Sequence, residues 1–393
     1  MLKPTIISIS MATVMAGAAI SPALGVIAKA FPDASVTTIK MILTIPSLTI
    51  IPFTFLTSYL TKKMSKRTVV IIGLWSYLIG GVGPQFMPTI ELVLFFRLLL
   101  GASVGILMPL SESLIYDYYT GKERAQMMGY NASFSNFGGI ITMLVAGWLA
   151  TLGWRQPFNV YLLGIVIFVL VFFFLPKEEV HVPPAHEKNL KIPFPVYGYA
   201  LAMGGVMLAY YAVSTNIALY LEQANFGGSA LAGMTISFAA VGGMITSFFL
   251  VPVMEFFKKY LIPVMLLAMS VSFLMLTLAK HVPIVIVSVC FIGFAQGALF
   301  PVLTMNALNL VKLHQTDRAI AVLTTFIFTG QFLSPILLDM LSNVFNQTSI
   351  RFQFALLAGT ILIFGVATFL SSQKKVVEKP EKMESAETAG EQA

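Results

Sequence analysis

Twelve apolar stretches of about twenty residues follow one another along this chain, and they leave few folds open. They fall near residues 5–29, 38–60, 68–87, 91–115, 125–150, 156–175, 196–221, 230–254, 260–279, 284–310, 318–342 and 351–371. As a helix, each is long enough to cross the roughly 30 Å of hydrocarbon in a bilayer. Hydrocarbon offers no partner to a free N–H or C=O, so such segments must pair their own backbone, and helices result. Only 10% of the residues are charged and 57% are hydrophobic. Soluble domains carry about 25% charge, so this chain cannot cover itself with a water-facing surface. The spacing predicts an all-α membrane protein with 12 transmembrane helices. Ala16-Gly17-Ala18 could be mistaken for a signal-peptidase site, but the span runs on apolar to Ile27. An uncleaved first helix is therefore predicted.

One nine-residue pattern occurs twice, 192 positions apart. Gly101-Ala102-Ser103-Val104-Gly105-Ile106-Leu107-Met108-Pro109 is matched by Gly293-Phe294-Ala295-Gln296-Gly297-Ala298-Leu299-Phe300-Pro301. Glycines four apart share a helix face and let another backbone approach closely. The proline one turn later removes a hydrogen bond and bends the helix. Equivalent bent helices in two halves point to a duplicated transporter. The predicted organisation is two pseudo-symmetric six-helix halves: an N-terminal bundle (1–175) and a C-terminal bundle (196–372), joined by a polar linker (176–195). The tail at 373–393 lacks apolar periodicity and reads as disordered. Gly101, Gly105, Pro109, Gly293, Gly297 and Pro301 are expected at close helix contacts. Gly105 and Gly297 are expected where one half rocks against the other.

Lysine and arginine set the orientation. One side collects Lys3, Lys62, Lys63, Lys66, Arg67, Lys122, Arg124, Lys177, Lys188, Lys191, Lys258, Lys259, Lys312, Arg318 and four tail lysines. The other keeps Lys29, Lys40, Arg155, Lys280 and Arg351. Eighteen against five places both termini in the cytoplasm of a cell that holds the protein in its plasma membrane. The net charge of +7 is thus a topology signal, and no nucleic-acid partner is expected. The lone Cys290 cannot form an internal disulfide and reads as a small packing residue. His181 and His186 lie in the solvated linker, where no metal site is expected, and nothing calls for a cofactor. There is no Gly-x-x-x-x-Gly-Lys-Ser/Thr loop, no soluble nucleotide domain and no acyl-transfer serine motif. An ATP-driven pump or an enzyme is excluded on that pattern.

Several segments resemble the Major Facilitator Superfamily, over residues 5–371. Leu94-Phe95-Phe96-Arg97, followed by Gly101 and Gly105, is similar to the family's fourth-helix motif. Gly153-Trp154-Arg155 is similar to its turn before the sixth helix, and Gly330-Gln331-Phe332-Leu333-Ser334-Pro335 to a segment of its drug and metabolite exporters. Two departures stand out. The loop between helices 2 and 3 keeps basic positions but has Ser58 for the family's glycine and Lys62 for its acid. Helix 5 has Gly138-Gly139 and Ala146-Gly147 without the proline common in drug:proton antiporters.

Arg97 sits about six residues inside helix 4, and a charge at that depth is a functional candidate by default. Two readings stand: it tunes a nearby acid during proton coupling, or it ties helices together through backbone carbonyls. Glu112, fifteen residues on, also has two: it lines an inward-facing cavity and binds a proton or cationic group, or it pairs with a loop lysine. Glu222 and Asp339 read as solvated carboxylates near helix ends. The resemblance implies a cytoplasmic latch between Asp117 and Lys62, Lys63, Lys66 or Arg67. It also implies a pathway lined by helices 1, 4, 7 and 10, which makes Tyr210, Tyr211, Asn216, Tyr220, Gln296, Asn306 and Asn309 candidates for the substrate cavity. An aromatic, methionine-rich setting with few polar groups suits an amphipathic organic solute. The function expected is a monomeric secondary transporter exporting such compounds by proton antiport. Alternatives are a dedicated transporter of one metabolite, such as a metallophore or siderophore, and a non-transporting sensor on the same fold.

Overall fold

The computed structural model describes residues 2–176, 192–312 and 315–390. The linker, with His181 and His186, lies outside the described residues apart from its ends. The helices are α1 (Leu2–Ala18, resuming as Leu24–Ala30), α2 (Val36–Thr44, resuming as Pro46–Leu60), α3 (Lys66–Val82), α4 (Ile90–Tyr118), α5 (Gly121–Leu149) and α6 (Leu163–Phe174). The second half repeats them as α7 (Phe194–Gln223), α8 (Ser229–Phe248, resuming as Leu250–Phe257), α9 (Leu261–Leu278), α10 (Val282–Leu308), α11 (Thr316–Val344) and α12 (Ile350–Gly390). Twelve spans are long and apolar enough to cross a membrane. Both ends of the chain lie at one end of the bundle, here the termini side; the opposite end is the far side.

Proline punctuates this bundle. It lacks an N–H, so the carbonyl four residues earlier loses its partner. Pro22, Pro46 and Pro252 sit just beyond the interruptions of α1, α2 and α8, and the carbonyls they strand belong to Ala18, Ile42 and Phe248. Pro109 and Pro301 act more gently, and α4 and α10 run unbroken through them. Elsewhere helix ends are capped in the ordinary way. Ser35 and Ser65 accept the amides of Thr38 and Thr68 at the starts of α2 and α3.

The duplicated glycines do the same task in each half. A Cβ on Gly101 would lie 2.1 Å from the Pro46 carbonyl, and one on Gly105 would lie 2.5 Å from that of Ile50. A Cβ on Gly293 would lie 1.9 Å from the Ala239 carbonyl, and one on Gly297 would lie 2.5 Å from that of Gly243. So α4 rests bare-backed on α2, and α10 on α8. Each contact lies within one half, which differs from the expectation that Gly105 and Gly297 slide between halves. The halves themselves meet along α2–α11, α5–α8 and α1–α7.

Gly105→Leu and Gly297→Leu should therefore weaken their own half-bundles by about 1–3 kcal/mol each, the usual range for overpacking. Gly198 faces open space, and Gly198→Leu should leave stability unchanged. Thermal unfolding in detergent of the three variants beside the parent protein checks this.

Candidate functional site

Arg97 is completely buried, and its donors are spent on backbone and one phenol. Nε donates to the Ile42 carbonyl at 2.8 Å, the acceptor that Pro46 strands. One terminal nitrogen donates to the Tyr161 hydroxyl at 2.7 Å and the other to the Ala16 carbonyl, beside the break in α1, at 3.3 Å. Tyr161 itself donates to Ala16 at 3.2 Å, and its ring lies 5.6 Å from the guanidinium. No carboxylate pairs with Arg97 among the described residues. One planar fork thus fastens the interrupted regions of α1 and α2 to α4 and to the 3-10 turn (Gln156–Leu162) that leads into α6. This geometry supports the helix-tying reading of Arg97.

The contacts that join the halves cluster toward the far side. Lys40 Nζ lies 2.5 Å from Asp339 Oδ1, with 1% of Lys40 and 8% of Asp339 exposed. Gln353 Nε2 donates to the same oxygen at 2.7 Å, and Thr37 Oγ1 donates to Oδ2 at 2.8 Å. Asp339 is therefore a buried, fully engaged carboxylate, which corrects the solvated reading. Deeper along the same seam Ser47 donates to Gln331 at 3.0 Å. Ser21 of the first half donates to the Ser214 carbonyl of α7. Glu222, mostly buried, pairs at 3.2 Å with an exposed Lys29. Between α5 and α8 the contact is backbone on backbone: a Cβ on Gly147 would meet Ser229 at 2.9 Å, and one on Gly233 would meet Met143 at 2.7 Å. Neither Thr37 nor Gln353 is conspicuous in the sequence. The available signal was Lys40 and Asp339 themselves, two opposite charges a few residues inside far-side helix ends.

Toward the termini side the described bonds stay within each half. Lys66 pairs with Asp117 and also donates to Ser113 at 2.5 Å, so one of the four candidate latch residues reaches the acid. Arg67 instead donates to the Phe172 carbonyl of α6, and Lys63 lies 4.6 Å over the Tyr59 ring. Lys3 pairs with Glu123 at 2.7 Å, joining α1 to α5. Glu112 is exposed and has no hydrogen bond or ion pair among the described residues. Exposed aromatic side chains stand on the neighbouring termini-side lengths of α2, α4 and α5: Phe55, Tyr59, Tyr116, Tyr130 and Phe134.

The candidate cavity residues divide. Tyr210 and Tyr211 lie side by side, half-buried, and a Cβ on Gly17 of the first half would lie 3.5 Å from the Tyr211 hydroxyl. Gln296 and Asn306 are half-buried on α10, and Asn309 is exposed at its end. Asn216 is fully buried and donates to the Ala212 carbonyl at 2.9 Å, with its own carbonyl oxygen unpaired. Tyr220 is turned into the second half: its hydroxyl donates to the Leu276 carbonyl at 3.2 Å, and its ring packs on Phe354. The geometry supports a packing role for these last two. No cluster of three metal-ligating side chains occurs among the described residues.

Two equivalent six-helix bundles, joined toward one end, have the architecture of a multi-pass membrane transporter. The Major Facilitator Superfamily model matches residues 6–255 and again residues 199–391. The chain belongs to that superfamily. It is 26% identical over 334 residues to multidrug resistance protein 2 of Bacillus subtilis, covering 80% of this chain and 81% of that one. It is 25% identical over 325 residues to the quinolone resistance protein NorA of Staphylococcus aureus, covering 77% and 81%. Among solved structures, a bacterial homolog of the human lysosomal transporter Spinster, inward-facing and occupied, matches with a TM-score of 0.75 at 15% identity, covering 95% of this chain and 96% of that one. The nucleoside transporter NupG matches at 0.74 and 12%, covering 94% and 98%.

If Arg97 serves the carbonyl stranded by Pro46, restoring that amide should relieve the need for it. Arg97→Met should cost about 2–4 kcal/mol, since hydrogen bonds to charged groups are worth about 1.5–3 each. In a Pro46→Ala background, where residue 46 can donate to Ile42, the same change should cost measurably less. Thermal unfolding of the four proteins gives the coupling directly, and strict additivity would disconnect Arg97 from the α2 break.

Proposed function

We propose that this chain exports amphipathic organic compounds across the plasma membrane by alternating access coupled to proton antiport, acting as a monomer. The observation that carries the reading is Glu112, an unpaired carboxylate on a pathway helix, toward the side where the described bonds stay within each half. With the termini in the cytoplasm, as the lysine and arginine count favours, Glu112 lies toward the compartment from which an exporter loads. A charge held within a membrane span without a partner suits a role in binding a proton or a cation. Exposed aromatic side chains on the termini-side lengths of α2, α4 and α5 are of the kind that receives organic cations. Similarity to a multidrug resistance protein and to a quinolone resistance protein supports efflux of organic compounds over transport of one nutrient.

On this reading Arg97 supports the pathway by holding α1 and α2 in shape, and the Lys66–Asp117 pair ties the cytoplasmic ends of α3 and α4 together within the first half. The test uses inverted vesicles energised with a proton gradient and a panel of labelled cationic and neutral compounds. Uptake should collapse with an uncoupler. Glu112→Gln should reduce cation uptake by at least about tenfold, equivalent to 1.4 kcal/mol, while the variant stays in the membrane at parental levels. Unchanged cation uptake and an unchanged pH profile in Glu112→Gln would remove Glu112 from the site. Uptake insensitive to the uncoupler would remove the proton.

A further inference from the structure

We propose that Lys40 and Asp339, set by Thr37 and Gln353, form the far-side gate of the transporter, and that the intact pair biases the inward/outward equilibrium toward closure of the far side. The proposal rests on the alternating-access reading and adds to it the residues that hold the far side shut.

The two charges belong to opposite halves, Lys40 on α2 and Asp339 on α11. Both are buried, so closing the far side removes both from water. Desolvation of that kind is repaid only when the partners meet in good geometry and their remaining bonding positions are filled. Here they are: the carboxylate accepts from Lys40, Thr37 and Gln353, and Lys40 has Gln353 Oε1 as a second acceptor at 3.4 Å. Gln353, on α12, bonds both members at once and acts as a positioning residue. A second cross-half ion pair among the described residues, Lys29–Glu222, has a lysine side chain 72% exposed and can add little in comparison.

A buried pair of this kind makes an unusual signature. Removing one charge leaves the other buried and unpaired when the far side is closed, yet solvated when it is open. Either single neutralisation should therefore push the protein open. Removing both charges takes the penalty away and should let the far side close again. A residue needed only to build its own half would not show this reversal, because its loss would be added to, not cancelled, by the second change.

The reporter is Ser47→Cys in a Cys290→Ser background. Ser47 is 3% exposed and lies seven residues below Lys40 along α2, about 10 Å deeper. A membrane-impermeant maleimide is applied to sealed vesicles from the side opposite the termini, and the labelling rate is measured. Lys40→Met and Asp339→Asn should each raise the rate by about tenfold or more. The double variant Lys40→Met/Asp339→Leu should return it to near the reporter's own rate, and the exchanged pair Lys40→Asp/Asp339→Lys provides a second route to the same recovery. Unchanged labelling in both single variants, or double and exchanged variants that label as fast as the singles, would overturn the gate. If labelling follows the predicted pattern while no labelled compound moves, the gate stands and the export reading falls. If compounds move normally in single variants whose labelling is unchanged, the export reading stands and the gate falls.

Discussion

Backbone carbonyls that have lost their partners govern the inside of this molecule. Proline breaks the hydrogen-bond ladder of a helix, and hydrocarbon supplies no water to replace the missing donor. In two places a second helix does so. Pro46 strands Ile42, and Arg97 of α4 supplies the donor at 2.8 Å. Pro109 strands Gly105, and Thr57 of α2 donates to it at 3.2 Å. The exchange is reciprocal: α4 repairs α2, and α2 repairs α4. These bonds explain how helices interrupted so often keep fixed positions, and why a full positive charge can be stored in the first half with no carboxylate beside it.

Glycine provides the complementary constraint. Where α4 crosses α2 and α10 crosses α8, carbonyls lie where a side chain would begin, so the crossing distances are set by backbone alone. Each half is consequently tied by contacts that have little freedom to slip. Across the halves the described contacts are of another kind, hydroxyls, amides, two ion pairs and one glycine seam, grouped toward the far side. Rigid bodies joined by fewer and more polar contacts are what rocking motion between repeats requires.

Much of this was legible in the chain. Span number, the two halves and the duplicated glycine pattern follow from local composition and spacing, because hydrocarbon thickness and close helix packing each impose a fixed length scale. Arg97 was legible as a residue that must have partners, although its partners were not. The far-side network was not legible. Lys40 and Asp339 are 299 residues apart, and each taken singly near a helix end looks like an ordinary interfacial charge. Only the docking of one half on the other turns two unremarkable residues into a buried pair. Glu222 escaped for the same reason, its nearest cation lying in the opposite half. The signal that could have been used is proline within a span: Pro46 and Pro109, each read with the residue four positions earlier, mark carbonyls that a neighbouring helix serves.

The seam between α5 and α8 bears on how such a chain can diverge. Gly147 and Gly233 lie against each other, one in each half, and a side chain on either would collide with the other's helix. Residues in direct contact do not respond independently to change. The two positions therefore behave as one for mutational tolerance: a methyl group gained on one side uses up space that the other side would need. The halves are free to drift apart in sequence over most of their length, but here the permitted residues of each are set by the other.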